Sequence, residues 1–255
     1  MKTDLNRQYY ESLYEGSADP SSFEVRSKRL SLSRALRGIV LDGATPSIVD
    51  VGFGGGELLV LLAERFPAAR LAGIESSRNA VRRLNERHPA WDLRTGSAEE
   101  TPFESEAFDL VLCSHTLEHL RDDRPAAKEL KRLIKPNGYL VVGVPGPASG
   151  ENPLHERLYT TEMIEALFSG LHLRNIHCYG SKAFMTVYWK TRRFAQSAKI
   201  VESAQVQSSR VTGSTFARIA SAVGVPLLLG LYALDSTTFR SREDPFEVWG
   251  VWQKI

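Results

Sequence analysis

From residue 47 onward the chain alternates short β-branched runs with longer stretches of helical period. "SIVDV" leads into "ELLVLLAERF", and "RLAGIE" leads into "RNAVRRLNERH". "WDLRT" and "FDLVLC" follow, then the helical "PAAKELKRLI". "YLVVGV" precedes "TEMIEALFSG", which runs into "LHLRNIHCY". Six strands separated mostly by helices predict a parallel, doubly wound α/β sheet. A seventh strand, "FEVWGVWQKI", ends the sequence with a period of two. No helix closely precedes it, so it stands outside the βα rhythm.

Two regions fall outside the alternation. Residues 1–45 read as a helical cap of two helices, with Tyr9, Tyr10 and Tyr14 on the first and Leu30, Ala35 and Leu36 on the second. Residues 181–245 form a helical insertion between the core, 46–180, and the final strand, 246–255. Over 181–234 the insertion carries seven basic residues against one acid, Glu202, and interleaves Phe184, Tyr188, Trp189 and Phe194 with the cations. Its apolar run, 219–234, is short for a membrane span and contains Pro226. The insertion is expected to shape an acceptor site or an interface. A basic, aromatic surface suits an amphipathic or anionic small molecule, and equally a peripheral contact with an anionic membrane.

Bulk composition changes this picture little. The 255 residues are 42% hydrophobic and 24% charged with a net charge of +2, which suits one α/β domain and gives no reason to expect nucleic acid as a partner. The polar N-terminus lacks a signal-peptide core, and Cys113 and Cys178 sit in apolar runs as expected for buried thiols in a reducing compartment. A cytoplasmic location follows as the expectation. Oligomeric state is not legible.

The candidate chemistry begins at "DVGFGGGE", where a strand meets a glycine turn and a helix start. Glycines there permit positive φ and remove the Cβ that would strike a ligand. A dinucleotide fingerprint starting at Gly52 and Gly54 would place its third glycine at position 57, and Glu57 stands there instead. A carboxylate at a helix start opposes a pyrophosphate. It is compatible with a nucleoside ligand that has no phosphate. Glu75, closing the second strand, is placed to accept from both ribose hydroxyls.

With "GSAEETPF", "LCSHTLEHL" and "LIKPNGYLVVGVP" in that order, the sequence resembles the class I S-adenosylmethionine-dependent methyltransferases, in particular the small-molecule branch that includes the ubiquinone and menaquinone enzymes. The resemblance covers about 47–179 and the last strand. It implies a Rossmann-like, seven-stranded, mostly parallel sheet ending in an antiparallel pair, with S-adenosyl-L-methionine as cofactor and S-adenosyl-L-homocysteine as product. Carried onto this chain, it implies that Asp50 orients the loop and the ligand's amino group, that Gly52, Gly54 and Gly56 approach the methionine part, and that Glu75 and Ser76 meet the ribose. Ser97, Ala98 and Glu99 would meet the adenine, with Ser97 replacing the family's usual acid. Ser114 and His115 would line the sulfonium region, and Tyr10 would belong to a lid. Asn137-Gly138 would turn the chain into the fifth strand.

In "HTLEH", a helix would put His115, Glu118 and His119 on one face, with His155 following 36 residues later. Some relatives hold magnesium with a Glu-x-x-Glu-His arrangement. Here the first position is His115, and members without a metal use the same "LEH" as a brace, so no metal is expected. His155 and Tyr159 match a histidine and an aromatic that the family often places after the fifth strand. His155 and His119 are the candidate general bases, since an imidazole can take a proton near neutral pH. The implied function is methyl transfer to a small-molecule acceptor, at oxygen or nitrogen. The alternatives are a lipid, isoprenoid or glycan methyltransferase at a membrane surface, or a silent scaffold that retains the cofactor fold.

Overall fold

The structure, a computed structural model, describes Glu11 and residues 22–150, 152–180 and 245–255. Tyr9, Tyr10, Tyr14 and the insertion over 181–244 lie outside the described residues. The seven predicted strands are all present: β1 (Ser47–Val51), β2 (Arg70–Glu75), β3 (Asp92–Thr95), β4 (Phe108–Ser114), β5 (Ile134–Pro145), β6 (His172–Tyr179) and β7 (Glu247–Gln253). They form one sheet in the order β3-β2-β1-β4-β5-β7-β6. β1 to β5 run parallel, and β7 lies antiparallel between β5 and β6.

The helices are α1 (Phe23–Ala35), α2 (Glu57–Arg65), α3 (Arg78–Arg87), α4 (Arg124–Leu133) and α5 (Thr161–Leu167). Their starts follow from local chemistry. Ser22, Ser77 and Thr160 cap α1, α3 and α5 by accepting from Val25, Ala80 and Met163 amides. α4 opens with proline in its first turn, where a missing N–H costs nothing. α2 has only Gly56 before it and no side-chain cap, so its first amides are left for another acceptor.

Strand alternation distributes the core over both faces. Ile48, Leu110, Leu112 and Trp249 pack with Leu32, Leu59, Leu62 and Leu84 on the α1–α3 face. Val49, Val51, Val111, Val142 and Trp252 pack with Ala126, Leu130, Ile164 and Phe168 on the α4–α5 face. Strand order reverses between β1 and β4, which opens a crevice outside their C-terminal ends.

Two local expectations are corrected. "HTLEH" is not an α-helix: only Leu117–His119 form a single 3-10 turn, and His115 stands before it at φ 52°. The His115 amide still bonds the Gly143 carbonyl at 2.8 Å, so the β4–β5 ladder holds it in place of a helical turn. The Asn137-Gly138 pair is not a separate turn before the fifth strand. It lies within β5, where Asn137 adopts φ 63° and its amide bonds Lys254 O at 2.7 Å.

A Cβ on Gly143 would lie 2.6 Å from the buried Trp249 ring. Gly143→Ala should therefore lower stability by about 1–3 kcal/mol through overpacking. Urea unfolding midpoints compared with wild type check this.

Candidate active site

β1 ends at Val51 and the chain turns through Gly52, Gly54 and Gly56 at φ of 82°, 55° and 85°. Two of these glycines are needed by the protein itself. A Cβ on Gly52 would overlap the Thr116 side chain, and one on Gly56 would overlap Leu84. Thr116 was not singled out in the sequence, because its contact with the loop crosses from β4 to β1. Asp50, one residue inside the loop, is 1% exposed, and its Oδ1 meets no hydrogen-bond donor among the described residues. Burial and the Glu75 and Glu57 carboxylates push its carboxyl well above the usual range. The Glu57 side chain folds back to where a Cβ on Gly55 would sit. Three carboxylates thus converge on the uncapped start of α2.

Glu75 is 8% exposed and ties this edge together. Its Oε2 accepts from the Gly54 amide at 3.0 Å. Its Oε1 accepts from Ser76 Oγ and the Ser77 amide, each at 2.9 Å. Glu11 arrives at the same corner. Its carboxylate accepts from Ser77 Oγ at 2.8 Å and from the Arg78 and Asn79 amides at 2.9 and 3.2 Å, adding a second cap to α3. Nothing local marks Glu11, which is 67 residues from Arg78.

After β3, Gly96 bonds Glu75 O at 3.0 Å and carries the 97–101 loop alongside. Ser97 Oγ accepts from the Glu99 amide at 3.1 Å and lies 3.3 Å from the Glu99 carboxylate, so the hydroxyl is engaged within its own turn. Ala98 is buried. The loop is anchored from below by Glu129 on α4, whose Oε1 accepts from the Thr101 amide and hydroxyl at 2.8 and 2.6 Å. Arg132 pairs with the same carboxylate at 2.7 Å. Burial raises the Glu129 pKa, and the Arg132 and Thr101 donors outweigh it and bring it down to about 2.

Beyond β4 the site is built of histidines and acids. Ser114 is buried, and its Oγ has no partner among the described residues. His115 Nδ1 lies 3.4 Å from Glu118, and its Nε2 lies 3.5 Å from Glu247, the first residue of β7. These are ion-pair distances, too long for good hydrogen bonds. Burial and Lys28 push the His115 pKa down; the Glu118 and Glu247 carboxylates overcome them, and the result is raised. Glu247 also accepts from Ser31 Oγ on α1 and from Trp249 Nε1, at 3.2 and 2.9 Å. It was overlooked in the sequence, although an acid opening the apolar run "VWGVW" was a usable signal.

His119 and His155, the two candidate bases, come together with ring centroids 5.0 Å apart. His119 Nδ1 faces Leu154 O at 3.1 Å, and the Glu156 amide bonds Glu118 O at 2.7 Å. Burial lowers the His155 pKa to about 4, against the opposing pull of Glu118, so this ring is neutral at pH 7. Tyr159 is buried and donates to Asp123 at 2.7 Å, the bond of a loop brace. Of the expected cofactor residues, Asp50, the glycines, Glu75, Ser76, Ser97, Ala98, Glu99, Ser114 and His115 all lie along the C-terminal edge of the sheet. Tyr10 lies outside the described residues.

An α/β sheet of this order, with acids rather than a phosphate cradle at its glycine loop, defines the class. The methyltransferase-domain family model matches residues 49–142. The chain is 28% identical over 116 residues to the demethylmenaquinone methyltransferase of Chlorobaculum parvum, covering 45% of this chain and 46% of that one. It is 27% identical over 157 residues to the 27-O-demethylrifamycin SV methyltransferase of Amycolatopsis mediterranei, covering 58% and 57%. Matches of this kind span about half the length of the curated relatives. In fold the chain is similar to the cyclase SpnF, with a TM-score of 0.62 at 18% identity over 100% and 96% of the two chains. It is also similar to phosphoethanolamine N-methyltransferase 2 of Haemonchus contortus, in complex with S-adenosyl-L-methionine, with a TM-score of 0.55 at 19% identity over 89% and 52%. Residues 49–142 thus match a methyltransferase domain, and the chain is similar to S-adenosylmethionine-dependent methyltransferases.

The Glu129 brace yields a pH prediction. Its depressed pKa contributes stability that is present above about 4.5 and lost as pH falls toward about 2. Glu129→Gln should cost about 1–3 kcal/mol at pH 7, in the range for hydrogen bonds to a charged group. Chemical denaturation from pH 7 down to pH 3 should show wild type and variant converging.

Proposed function

We propose that the protein transfers a methyl group from S-adenosylmethionine to an oxygen or nitrogen of a small-molecule acceptor. The observation that carries this reading is the convergence of Asp50, Glu57 and Glu75 on the glycine loop, with one buried Asp50 oxygen that meets no donor among the described residues. An acidic pocket favours a ligand bearing cationic groups and opposes a pyrophosphate.

The residues present fit the donor. Asp50 Oδ1 is placed to accept from an ammonium group. A carboxylate has about four acceptor sites, and Glu75 uses three of them for Gly54, Ser76 and Ser77. One site is left for a ribose hydroxyl, and the exposed Ser76 hydroxyl can turn away to yield another. Ser97 is engaged by Glu99, so adenine contact falls to the backbone around Ala98 and Glu99. When bound, S-adenosylmethionine supplies a methyl on a sulfonium, already an excellent leaving group. The protein's task is then mainly to position the acceptor at about 3 Å and to exclude water.

Ser114 and His115 lie between the two halves of the crevice. On the acceptor half we assign the acceptor's proton to His119 and His155, by direct transfer or through a bound water. The relatives' names include a quinone-type and a rifamycin-type acceptor. Both support a small organic molecule here, and the basic, aromatic insertion supports one that is amphipathic or anionic. Among the described residues, no helix is long and apolar enough to cross a membrane.

Calorimetric titration with S-adenosylmethionine tests the reading. Glu75→Gln should weaken donor binding about tenfold or more, and unchanged affinity would overturn the ribose assignment. Asp50→Asn separates binding from folding. A buried acid with a raised pKa contributes stability at low pH that is lost as pH rises through that pKa. At pH 7 the variant should therefore be more stable without ligand, by on the order of 1 kcal/mol, yet bind the donor more weakly. Thermal melts with and without donor read both effects.

A further inference from the structure

Lysine is seldom covered in a folded protein unless something answers its charge. The Lys28 side chain on α1 is 24% exposed, and among the described residues its one hydrogen bond goes to Glu24 Oε1 at 3.2 Å. Glu24 lies one turn earlier on the same helix, with its side chain 74% exposed. Such a surface pair contributes little. An ammonium has three donors, so two of them remain.

The turn of α1 that carries Lys28 crosses the crevice. Arg29 Nη1 donates at 2.9 Å to the carbonyl of Glu57, the first residue of α2 behind the glycine loop. Ser31 Oγ donates at 3.2 Å to Glu247 Oε2, and Glu247 stands opposite Pro145 at the C-terminal end of β5. Lys28 and Ser31 are three residues apart and so are neighbours on the helix surface. One helical turn is thus pinned on both sides of the strand-order reversal. The Lys28 charge acts on His115, Glu118, His155 and Glu247, so the ammonium faces the cluster beyond β4.

The buried acids of that cluster are engaged elsewhere. Glu118 and Glu247 hold His115 between them at 3.4 and 3.5 Å, and Glu247 also accepts from Trp249 Nε1 at 2.9 Å. They act on Lys28 at longer range and keep it charged. Burial lowers its pKa, and Glu24, Glu247 and Glu118 outweigh burial and raise it. Lys28 is therefore a cation at pH 7, held at the crevice by a rigid helix, and its bonded partner is an exposed side chain that can swing aside.

We propose that Lys28 binds a carboxylate on the small-molecule acceptor and so selects acceptors that carry one. This rests on the methyl-transfer reading and names its substrate class. The incoming carboxylate displaces Glu24 and takes the two remaining donors as charge-assisted hydrogen bonds. His155 is neutral at pH 7 and does not compete for the anion. With its carboxylate fixed on α1, the acceptor lies across the crevice toward the histidines.

The test uses the full chain saturated with S-adenosyl-L-homocysteine and three probes that share a ring and differ in head group: benzoate, benzyl alcohol and benzylamine. Calorimetry at pH 7 should show benzoate binding at least about tenfold more tightly than the other two. Lys28→Met should weaken benzoate by about tenfold or more, and Lys28→Arg should keep most of the affinity. Glu24→Gln removes the competing carboxylate and should tighten benzoate by about threefold, which a merely structural pair would not do. Glu24 is on the exposed side of α1, so its variant keeps the test decisive if Lys28→Met does not fold. Affinity for S-adenosyl-L-homocysteine, measured in each variant, reports the donor half separately. If the chain binds S-adenosyl-L-homocysteine but prefers benzylamine, or binds benzoate equally in wild type and Lys28→Met, the assignment of Lys28 is overturned and the methyl-transfer reading stands. If S-adenosyl-L-homocysteine itself does not bind, both are overturned.

Discussion

The site depends on one carboxylate at the end of one strand. Glu75 holds the Gly54 amide with one oxygen and the entry to α3 with the other, so the glycine loop and the neighbouring helix are fixed to the same buried group. Glu11 then caps the same helix from the far end of the sequence. Anything seated over β1 and β2 is therefore framed by a rigid corner. The geometry of that corner is set before a ligand arrives, as positioning chemistry requires.

Negative charge is concentrated along this edge, and its two halves resolve it differently. Under the glycine loop, one Asp50 oxygen meets no donor among the described residues, and burial, followed by its acidic neighbours, raises its pKa. Beyond β4, Glu118 and Glu247 are set among His115, His119, His155 and Lys28. Burial raises the Glu247 pKa, and His115, Trp249 and Lys28 outweigh it and depress it to about 2. Among the described residues, no cation is among the groups that shift Asp50. The second half is a graded set of acids and imidazoles. The strand-order reversal between β1 and β4 places the two side by side.

Fold alone would not have separated the chemistries. The cyclase SpnF shares this architecture with methyltransferases, and similarity at that level shows architecture only. The acids at the glycine loop distinguish this site from a phosphate cradle. Glu57, where a dinucleotide loop would have its third glycine, is the plainest instance.

The strands were legible in the sequence because their period and β-branched composition are local: β1 and β2 begin and end where "SIVDV" and "RLAGIE" do. The glycine loop and the acid beside it were legible for the same reason, since a glycine turn and an acid at a strand end are short local patterns. The cluster beyond β4 was not. "HTLEH" reads as a helix by spacing, yet the Gly143 carbonyl keeps His115 on the sheet, and only a 3-10 turn follows. That turn brings Glu118 against His155, and β7 delivers Glu247 to His115 from more than a hundred residues away. Burial and long-range pairing decide which acid meets which imidazole. Neither is encoded in any short stretch, so only the tertiary structure could assemble that cluster.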